Sequence, residues 1–206
     1  ETGCVLEIRS EDGGSGSDVM SEWYPRRTWS IARNGNSGLF LKRNNLTVQR
    51  YALEVGSQTD NAEFQCGYTL AKWAAAGAII HHLVCTDGSK GTWDLNTDQV
   101  GLVETRKLEQ IAAASRLGAT GQVIFLDEID GELRSDLVTR SAVALVIREL
   151  KPQVVLGHDP WKRYRLPTDH RHAGLLNIEG VVAVPTPYLP PEHTLYAHPT
   201  TTLHLF

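Results

Sequence analysis

The sequence predicts a Rossmann-like α/β fold, in which helices cover a doubly wound, mainly parallel sheet within a single domain. Short apolar runs alternate with amphipathic helix patterns from about residue 47 onward, and this alternation is typical of parallel sheets with right-handed crossovers. One of these runs, residues 154–156, is continuously apolar, as parallel strands buried on both faces are. The 206 residues are 41% hydrophobic and 21% charged, which is ordinary for one globular domain with a core.

Residues 1–46 do not follow the alternating pattern. Residues 1–19 have the character of a tag or linker, because residues 13–17 are a Gly/Ser run and the sequence has no initiator Met. We therefore expect native sequence to start near Met20. Residues 20–46 predict no particular element, and the domain of interest is predicted to span residues 47–206.

The regular part opens with a strand that ends at Val55, followed by a polar turn and a helix over residues 69–76. A second strand is predicted over residues 78–85, and a polar loop over residues 86–94 follows it. The second helix is indicated by side chains at positions i, i+3, i+4 and i+7, namely Leu108, Ile111, Ala112 and Ser115. Gly118 is expected to end that helix.

The second half repeats the pattern. A third strand is predicted over residues 123–126. The third helix, predicted to stop before Pro152, has one apolar face formed by Val138, Ala142, Leu145 and Val146. After the fourth strand, a long polar loop over residues 157–169 leads to a helix that starts near His170. The tail is rich in proline, and residues 202–206 are predicted to form an edge strand.

Composition excludes several classes of function. The net charge of −4 and the pI of about 6.1 give no electrostatic basis for binding nucleic acid or an anionic membrane. No apolar run is long enough to span a bilayer. Three cysteines, at positions 4, 66 and 85, are too few for a disulfide framework. We therefore expect a reducing, cytoplasmic setting.

Two polar loops are predicted to meet at the carboxyl ends of the strands, where open α/β sheets place their ligands. The loop after the first strand supplies Gln58, Asp60, Asn61 and Glu63. The loop after the fourth strand supplies His158, Asp159, Arg163, Tyr164, Arg165, Asp169, His170 and His172. Carboxylates that face histidines suit either metal binding or general acid/base chemistry. Helix capping by Asp60 or Asn61, together with solvated side chains, is the alternative.

Five separated segments of the sequence resemble the LmbE/PIG-L family of zinc-dependent N-deacetylases. They begin with Glu63-Phe-Gln-Cys-Gly-Tyr-Thr-Leu-Ala-Lys-Trp-Ala and continue with Val84-Cys-Thr-Asp-Gly-Ser-Lys-Gly-Thr-Trp, Thr105-Arg-Lys-Leu-Glu109, Gly157-His-Asp-Pro-Trp-Lys-Arg-Tyr-Arg-Leu and Asp169-His-Arg-His-Ala-Gly. The resemblance runs from about residue 47 to the end of the chain. It implies the Rossmann-like fold, a zinc cofactor and a small-molecule amino-sugar conjugate as the substrate.

The family's first motif, His-Pro-Asp-Asp-x-Glu, reads Gln58-Thr-Asp60-Asn61-Ala-Glu63 here. The resemblance assigns the general base to Asp60 and two metal-ligand positions to Gln58 and Asn61. Both ligand positions hold neutral amides in this chain. Zinc prefers thiolate, imidazole or carboxylate ligands, so we expect the chain to hold little zinc.

The family's second motif, His-Pro-Asp-His, reads Pro167-Thr-Asp169-His170 here. The resemblance makes His170 the third metal ligand and Asp169 its orienting partner, with a catalytic role. Pro167 stands where the family has a histidine that protonates the leaving amine or stabilises the oxyanion. Proline has no group that can transfer a proton.

Four further residues are predicted to bind substrate: Arg106, His158, Trp161 and Tyr164. Each has a structural alternative, because Arg106 and Glu109 can form an ion pair on one helix and Trp161 can be a packed aromatic. His81 and His82 are expected to have structural roles on opposite faces of a strand. Cys66 is expected to be a small core residue.

The leading prediction is hydrolysis of the N-acetyl group of an N-acetylglucosamine-type sugar conjugate at a zinc site, impaired by Gln58, Asn61 and Pro167. The alternative is a catalytically inactive family member that binds a sugar-like ligand or a partner. A nucleotide-binding Rossmann domain is disfavoured, because the first turn lacks Gly-x-Gly-x-x-Gly.

Overall fold

A computed structural model describes residues 49–163, 167–185 and 202–206 in full, together with the backbone of four N-terminal strands. These strands are β1 (Gly3–Arg9), β2 (Ser17–Tyr24), β3 (Arg27–Arg33) and β4 (Leu39–Asn44). They form an antiparallel sheet in the order β1-β2-β3-β4. The sequence pattern predicted no element over residues 20–46, so β3, β4 and most of β2 are additions to that prediction. The proposed domain boundaries stay a prediction.

The main sheet has five parallel strands and confirms the predicted fold class. They are β5 (Tyr51–Gly56), β6 (Ile79–Thr86), β7 (Val123–Glu128), β8 (Val154–Gly157) and β9 (Thr202–Leu205). Their order is β7-β6-β5-β8-β9, and every neighbouring pair is parallel. The predicted edge strand at the end of the chain is therefore confirmed as β9.

Four helices connect these strands: α1 (Asn61–Ala75), α2 (Gln99–Arg116), α3 (Leu137–Leu150) and α4 (Thr168–Ala183). α1 begins eight residues before the predicted helix. Aspartates cap α2 and α3, since Asp98 accepts from the amide of Val100 and Asp136 accepts from the amide of Thr139. Gly118, with a φ of 80°, follows α2 as predicted. No helix in the fully described part of the chain combines the length and apolarity needed to cross a bilayer.

Two apolar cores cover the two faces of the main sheet. On one face, α1 packs Leu70 and Trp73 against β5, β6 and β8. On the other face, α3 and α4 pack Ile147 and Leu176 against the same strands. The crossovers after β5 and after β8 therefore leave the sheet on opposite faces, which makes the boundary between these two strands the switch point of the fold.

The predicted apolar face of α2 is wrong. Leu108 is 67% exposed and Ile111 is 49% exposed, whereas Gln110 and Ala114 are buried. Gln110 can be buried because its amide donates a hydrogen bond to the Glu63 carboxylate at 3.2 Å. The buried positions of this helix therefore include a polar side chain held by one hydrogen bond, which hydrophobic periodicity does not predict.

The predicted face of α3 is displaced by about one residue. Val138 is exposed, while Val143, Ala144 and Ile147 are fully buried. Arg148 is also buried, and its Nε donates to the main-chain oxygen of Val184 just after α4, at 3.1 Å. That hydrogen bond turns a charged residue toward the core side of the helix.

Candidate active site

The polar loops after β5 and β8 meet at the carboxyl edge of the main sheet, as predicted. β5 and β8 are neighbours, with Val55 paired to Gly157. Gly157 is required there, because a Cβ at that position would overlap the Asn177 amide. His158, directly after β8, accepts a hydrogen bond from the Ser57 amide, directly after β5, at 3.3 Å. The two loops are therefore joined at the switch point.

Asn61 is held by hydrogen bonds to its carbonyl oxygen. Oδ1 accepts from the Ser57 hydroxyl and from the Gln58 amide, each at 2.8 Å, and His158 Nε2 lies 3.1 Å from the same atom. Because a main-chain amide can only donate, Oδ1 must face it, and Nδ2 is left to donate to Asp60 Oδ1 at 3.3 Å. Both lone pairs of Oδ1 are therefore used within the protein.

The amide nitrogen of Gln58 faces a carboxylate. Its Nε2 donates to Asp130 Oδ1 at 2.7 Å. Since a carboxylate is an acceptor only, the amide must present its nitrogen to Asp130. A metal ion would need the carbonyl oxygen at that place.

Asp60 has the most accessible carboxylate of the first motif, with 46% of its side chain exposed. It occupies the cap position of α1, but its side chain makes no capping hydrogen bond, so the predicted capping role is wrong. Arg106 lies 3.7 Å from Asp60 Oδ2. Arg106 also forms the predicted ion pair with Glu109, at 3.0 Å.

Two histidines stack against each other beneath this carboxylate. The rings of His158 and His170 lie 4.2 Å apart, centroid to centroid, at an angle of 22°. Burial lowers the pKa of His158 well below its ordinary value, and the neighbouring His170 lowers it further. Burial also lowers the pKa of His170, while the charges of Asp169 and Asp60 oppose that shift. Both rings are therefore neutral at pH 7.

Asp169 binds main chain. Its carboxylate accepts from the amides of Gly131 at 2.6 Å and Leu133 at 3.3 Å, and within the described residues it makes no hydrogen bond to the His170 ring. Asp169 therefore fixes the loop after β7 and reaches His170 only through its charge. Its catalytic role stays a prediction.

That loop brings in Asp130, a site residue that the sequence analysis missed. Asp130 is buried and, besides Gln58, accepts from the Lys90 amide at 3.2 Å. One signal was available, because Asp130 follows β7 closely and so lies at the same carboxyl edge as the two motifs.

The remaining predicted residues have separate surroundings where the structure describes them. Trp161 is 60% exposed, so it is not a packed core aromatic. Tyr164 lies outside the described residues. Pro167 precedes α4 with φ −55° and ψ 149°. His82 is buried beside Glu54, and His81 Nδ1 accepts from the Gln122 amide, in line with their predicted structural roles.

The residues present do not fit a catalytic zinc ion. The fully described residues hold no group of three or more His, Cys, Asp and Glu side chains arranged to bind a metal. Asn61 Oδ1 is already saturated, and Gln58 presents an amide nitrogen. Of the three ligand positions that the resemblance implies, only His170 carries a strong zinc ligand.

The sequence of this chain matches the profile of a known protein family. The profile of the family described as PIG-L, GlcNAc-PI de-N-acetylase, matches residues 56–179. A diacetylchitobiose deacetylase of Thermococcus kodakarensis is 37% identical over 59% of this chain and 45% of its own length. A 4-oxalmesaconate hydratase of Pseudomonas putida is 30% identical over 77% of this chain and 62% of its own length. The chain thus spans about half of the curated relatives that it matches.

Solved structures agree with these relatives. An N,N'-diacetylchitobiose deacetylase from Pyrococcus horikoshii, in complex with its inhibitor MPG, superposes with a TM-score of 0.73 at 25% identity, over 76% of this chain and 60% of that chain. The 4-carboxy-2-hydroxymuconate hydratase from Pseudomonas putida gives a TM-score of 0.62 at 25% identity, over 72% of this chain and 62% of that chain.

Proposed function

This chain belongs to the PIG-L family, and we propose that it recognises an N-acetylglucosamine-type sugar conjugate at the carboxyl edge of its main sheet. Gln58, Asn61 and Pro167 impair hydrolysis of the N-acetyl group. We infer this impairment from Asn61 Oδ1, because its two lone pairs already accept hydrogen bonds from the Ser57 hydroxyl and the Gln58 amide. The diacetylchitobiose deacetylase relative supports the class of sugar.

Amide hydrolysis needs a base for water, a positive or donating group at the carbonyl oxygen, and an acid for the leaving amine. Asp60 can accept the proton of a water molecule, because its carboxylate is accessible and lies 3.7 Å from Arg106. The neutral amides at positions 58 and 61 supply no ligand charge for a metal. Pro167 cannot donate a proton. The site thus retains a base and loses its electrophile and its acid.

The test rebuilds the missing groups with the triple variant Gln58→His, Asn61→Asp, Pro167→His. We expect the parent chain to bind N,N'-diacetylchitobiose with little acetate release, and the zinc-supplemented triple variant to release acetate. The acid at position 167 should contribute about 10²–10⁴-fold to turnover. The backbone at Pro167, with φ −55° and ψ 149°, is open to histidine without strain.

A control variant with Gln58→Asn and Pro167→Ala changes the same loops without adding a ligand or an acid, and it should stay as slow as the parent. Equal acetate release by the parent and the triple variant would refute the impairment. A zinc-loaded triple variant that releases acetate from no N-acetylated amino sugar would refute the deacetylase assignment. Sugar binding with no release at all by the parent is the result expected of the alternative, an inactive binding protein.

A further inference from the structure

Asp130 has the connections of a residue that positions another side chain. It is buried, yet its carboxylate is directed at the first motif and accepts from Gln58 Nε2 at 2.7 Å. A charge-assisted hydrogen bond of this kind is stronger than one between neutral groups. The position of the Gln58 side chain is therefore fixed from a different loop.

Asp130 is itself fixed from both sides. Its amide donates to Asp87 Oδ1 at 3.0 Å, and the amide of the next residue, Gly131, donates to Asp169 at 2.6 Å. Asp87 follows β6 and Asp169 lies in the first turn of α4. Asp130 is thus held at the centre of three loops, all at the carboxyl edge of the main sheet.

We propose that Asp130 is the positioning residue for position 58, and that it holds the Gln58 amide so that its carbonyl oxygen receives an N–H or O–H donor of the bound amino sugar. With Nε2 on Asp130, Oε1 is directed away from that carboxylate. Within the described residues Oε1 accepts no hydrogen bond, and it is not among the atoms shut off from solvent. Among the described residues, this oxygen is therefore an acceptor that remains open to solvent.

This inference rests on the proposed function, because the sugar is the donor that it invokes. The proposal gives position 58 a chemical role that differs from its role in the family. Position 58, a metal-ligand position in the family that the sequence resembles, becomes a hydrogen-bond acceptor for an acetamide N–H or a hydroxyl group. A carbohydrate offers several such donors, so recognition survives where the metal ligands do not.

A double-mutant cycle on N,N'-diacetylchitobiose affinity tests the proposal. We expect Gln58→Ala and Asp130→Ala each to weaken binding about tenfold, as the loss of one good hydrogen bond does. The double variant should be no weaker than either single variant, because Asp130 acts through Gln58. Multiplied losses, about 100-fold in the double variant, would overturn the proposal.

Two controls separate positioning from folding. Asp130→Asn retains an acceptor oxygen for Gln58 Nε2 but turns an N–H donor toward the Lys90 amide, so it should weaken binding less than Asp130→Ala does. Glu132→Gln removes an exposed carboxylate of the same loop, which pairs with Lys90, and should bind like the parent. Equal weakening by Asp130→Asn and Asp130→Ala would overturn the proposal.

A second readout does not depend on the sugar. The side-chain amide protons of Gln58 should exchange slowly with solvent in the parent and quickly in Asp130→Ala, measured by NMR. If the parent fails to bind any amino sugar but Gln58 shows this protection, the proposed function fails and the positioning role stands. If exchange is equally fast in both proteins, the positioning role is refuted.

Discussion

At the scale of single residues, Asn61 places a neutral amide beside the Asp60 carboxylate. Its Nδ2 lies 3.3 Å from Asp60 Oδ1, so an aspartate at position 61 would bring a second carboxylate oxygen to that distance. The repulsion between like charges at this separation is about 1–2 kcal/mol near a protein surface, after Arg106 offsets part of it. Asparagine avoids this repulsion, and it also leaves position 61 without the negative charge that would attract a cation.

We therefore expect Asn61→Asp to lower the free energy of unfolding by about 1–2 kcal/mol at pH 7 without metal. The loss should shrink as the salt concentration rises, because ions screen the charge of the partly exposed Asp60 carboxylate. Urea unfolding at low and high salt measures this effect. Asn61→Ser, which adds no charge, is the control, and a loss of stability that does not change with salt would contradict the electrostatic cause.

His158 makes the stability of the folded chain depend on pH. Burial holds the pKa of its ring well below the ordinary 6.5. Below about pH 6.5, His158 therefore binds a proton in the unfolded chain but not in the native chain, and the free energy of unfolding falls on acidification. The slope from one such group reaches about 1.4 kcal/mol per pH unit.

The variant His158→Gln should flatten the fall in stability between about pH 6.5 and 5. His170, whose pKa burial also lowers, should keep part of the slope. Urea unfolding across this pH range checks the prediction. Parent and variant curves that stay parallel would show that His158 titrates normally in the folded chain.

At the scale of the elements, a buried pair of side chains joins β5 to β6 and limits the substitutions that each strand tolerates. Glu54 and His82 are both almost fully buried, and Glu54 Oε2 lies 3.2 Å from His82 Nδ1. Burial raises the pKa of Glu54, and the hydrogen bond to His82 lowers it in part. Each side chain therefore depends on the other for a partner.

Removing one partner should cost more than removing both. We expect His82→Leu to lower the free energy of unfolding by about 3 kcal/mol or more, since it leaves a buried carboxyl group unpaired. The double variant Glu54→Leu, His82→Leu should recover much of this loss, because it leaves no unpaired polar group. Denaturant unfolding of both variants measures the difference. A double variant as unstable as the sum of the two single variants would contradict the pairing.

The elements show what the sequence could predict. The order and type of the elements from β5 to α4 follow from local periodicity, which does not depend on the partner that each element packs against. The buried faces of α2 and α3 were predicted wrongly, because Gln110 and Arg148 are buried through hydrogen bonds to Glu63 and Val184. Such contacts join distant parts of the chain and leave no periodic signal.

The same distinction holds for the site. The meeting of Gln58, Asn61 and His158 could be predicted, because carboxyl ends of parallel strands share an edge. Asp130 could not be assigned its partner, since a single aspartate after a strand does not reveal which loop it faces. The hydrogen bonds that Asp130 and Asn61 accept can therefore be identified only from the folded structure.

At the scale of the whole molecule, the fold of the PIG-L family surrounds a site in which hydrogen bonds hold Gln58 and Asn61. The family match covers the switch point, both loops and most of α4. The parent chain differs from the family motifs that its sequence resembles at positions 58, 59, 61, 167 and 168, and the changes at 58, 61 and 167 affect groups with an implied chemical role. Binding and turnover should therefore respond separately to substitution, with sugar affinity dependent on Gln58 and Asp130 and turnover dependent on a restored metal site.

Zinc content of the purified parent chain tests this assignment most directly. After exhaustive dialysis against metal-free buffer, elemental analysis should find far less than one zinc per chain in the parent, and close to one in the variant Gln58→His, Asn61→Asp, Pro167→His after zinc loading. The ligand types decide this difference, because a good zinc site contributes about 10 kcal/mol or more. One tightly bound zinc per parent chain would contradict the assignment, and it would mean that Gln58 and Asn61 do not prevent metal binding.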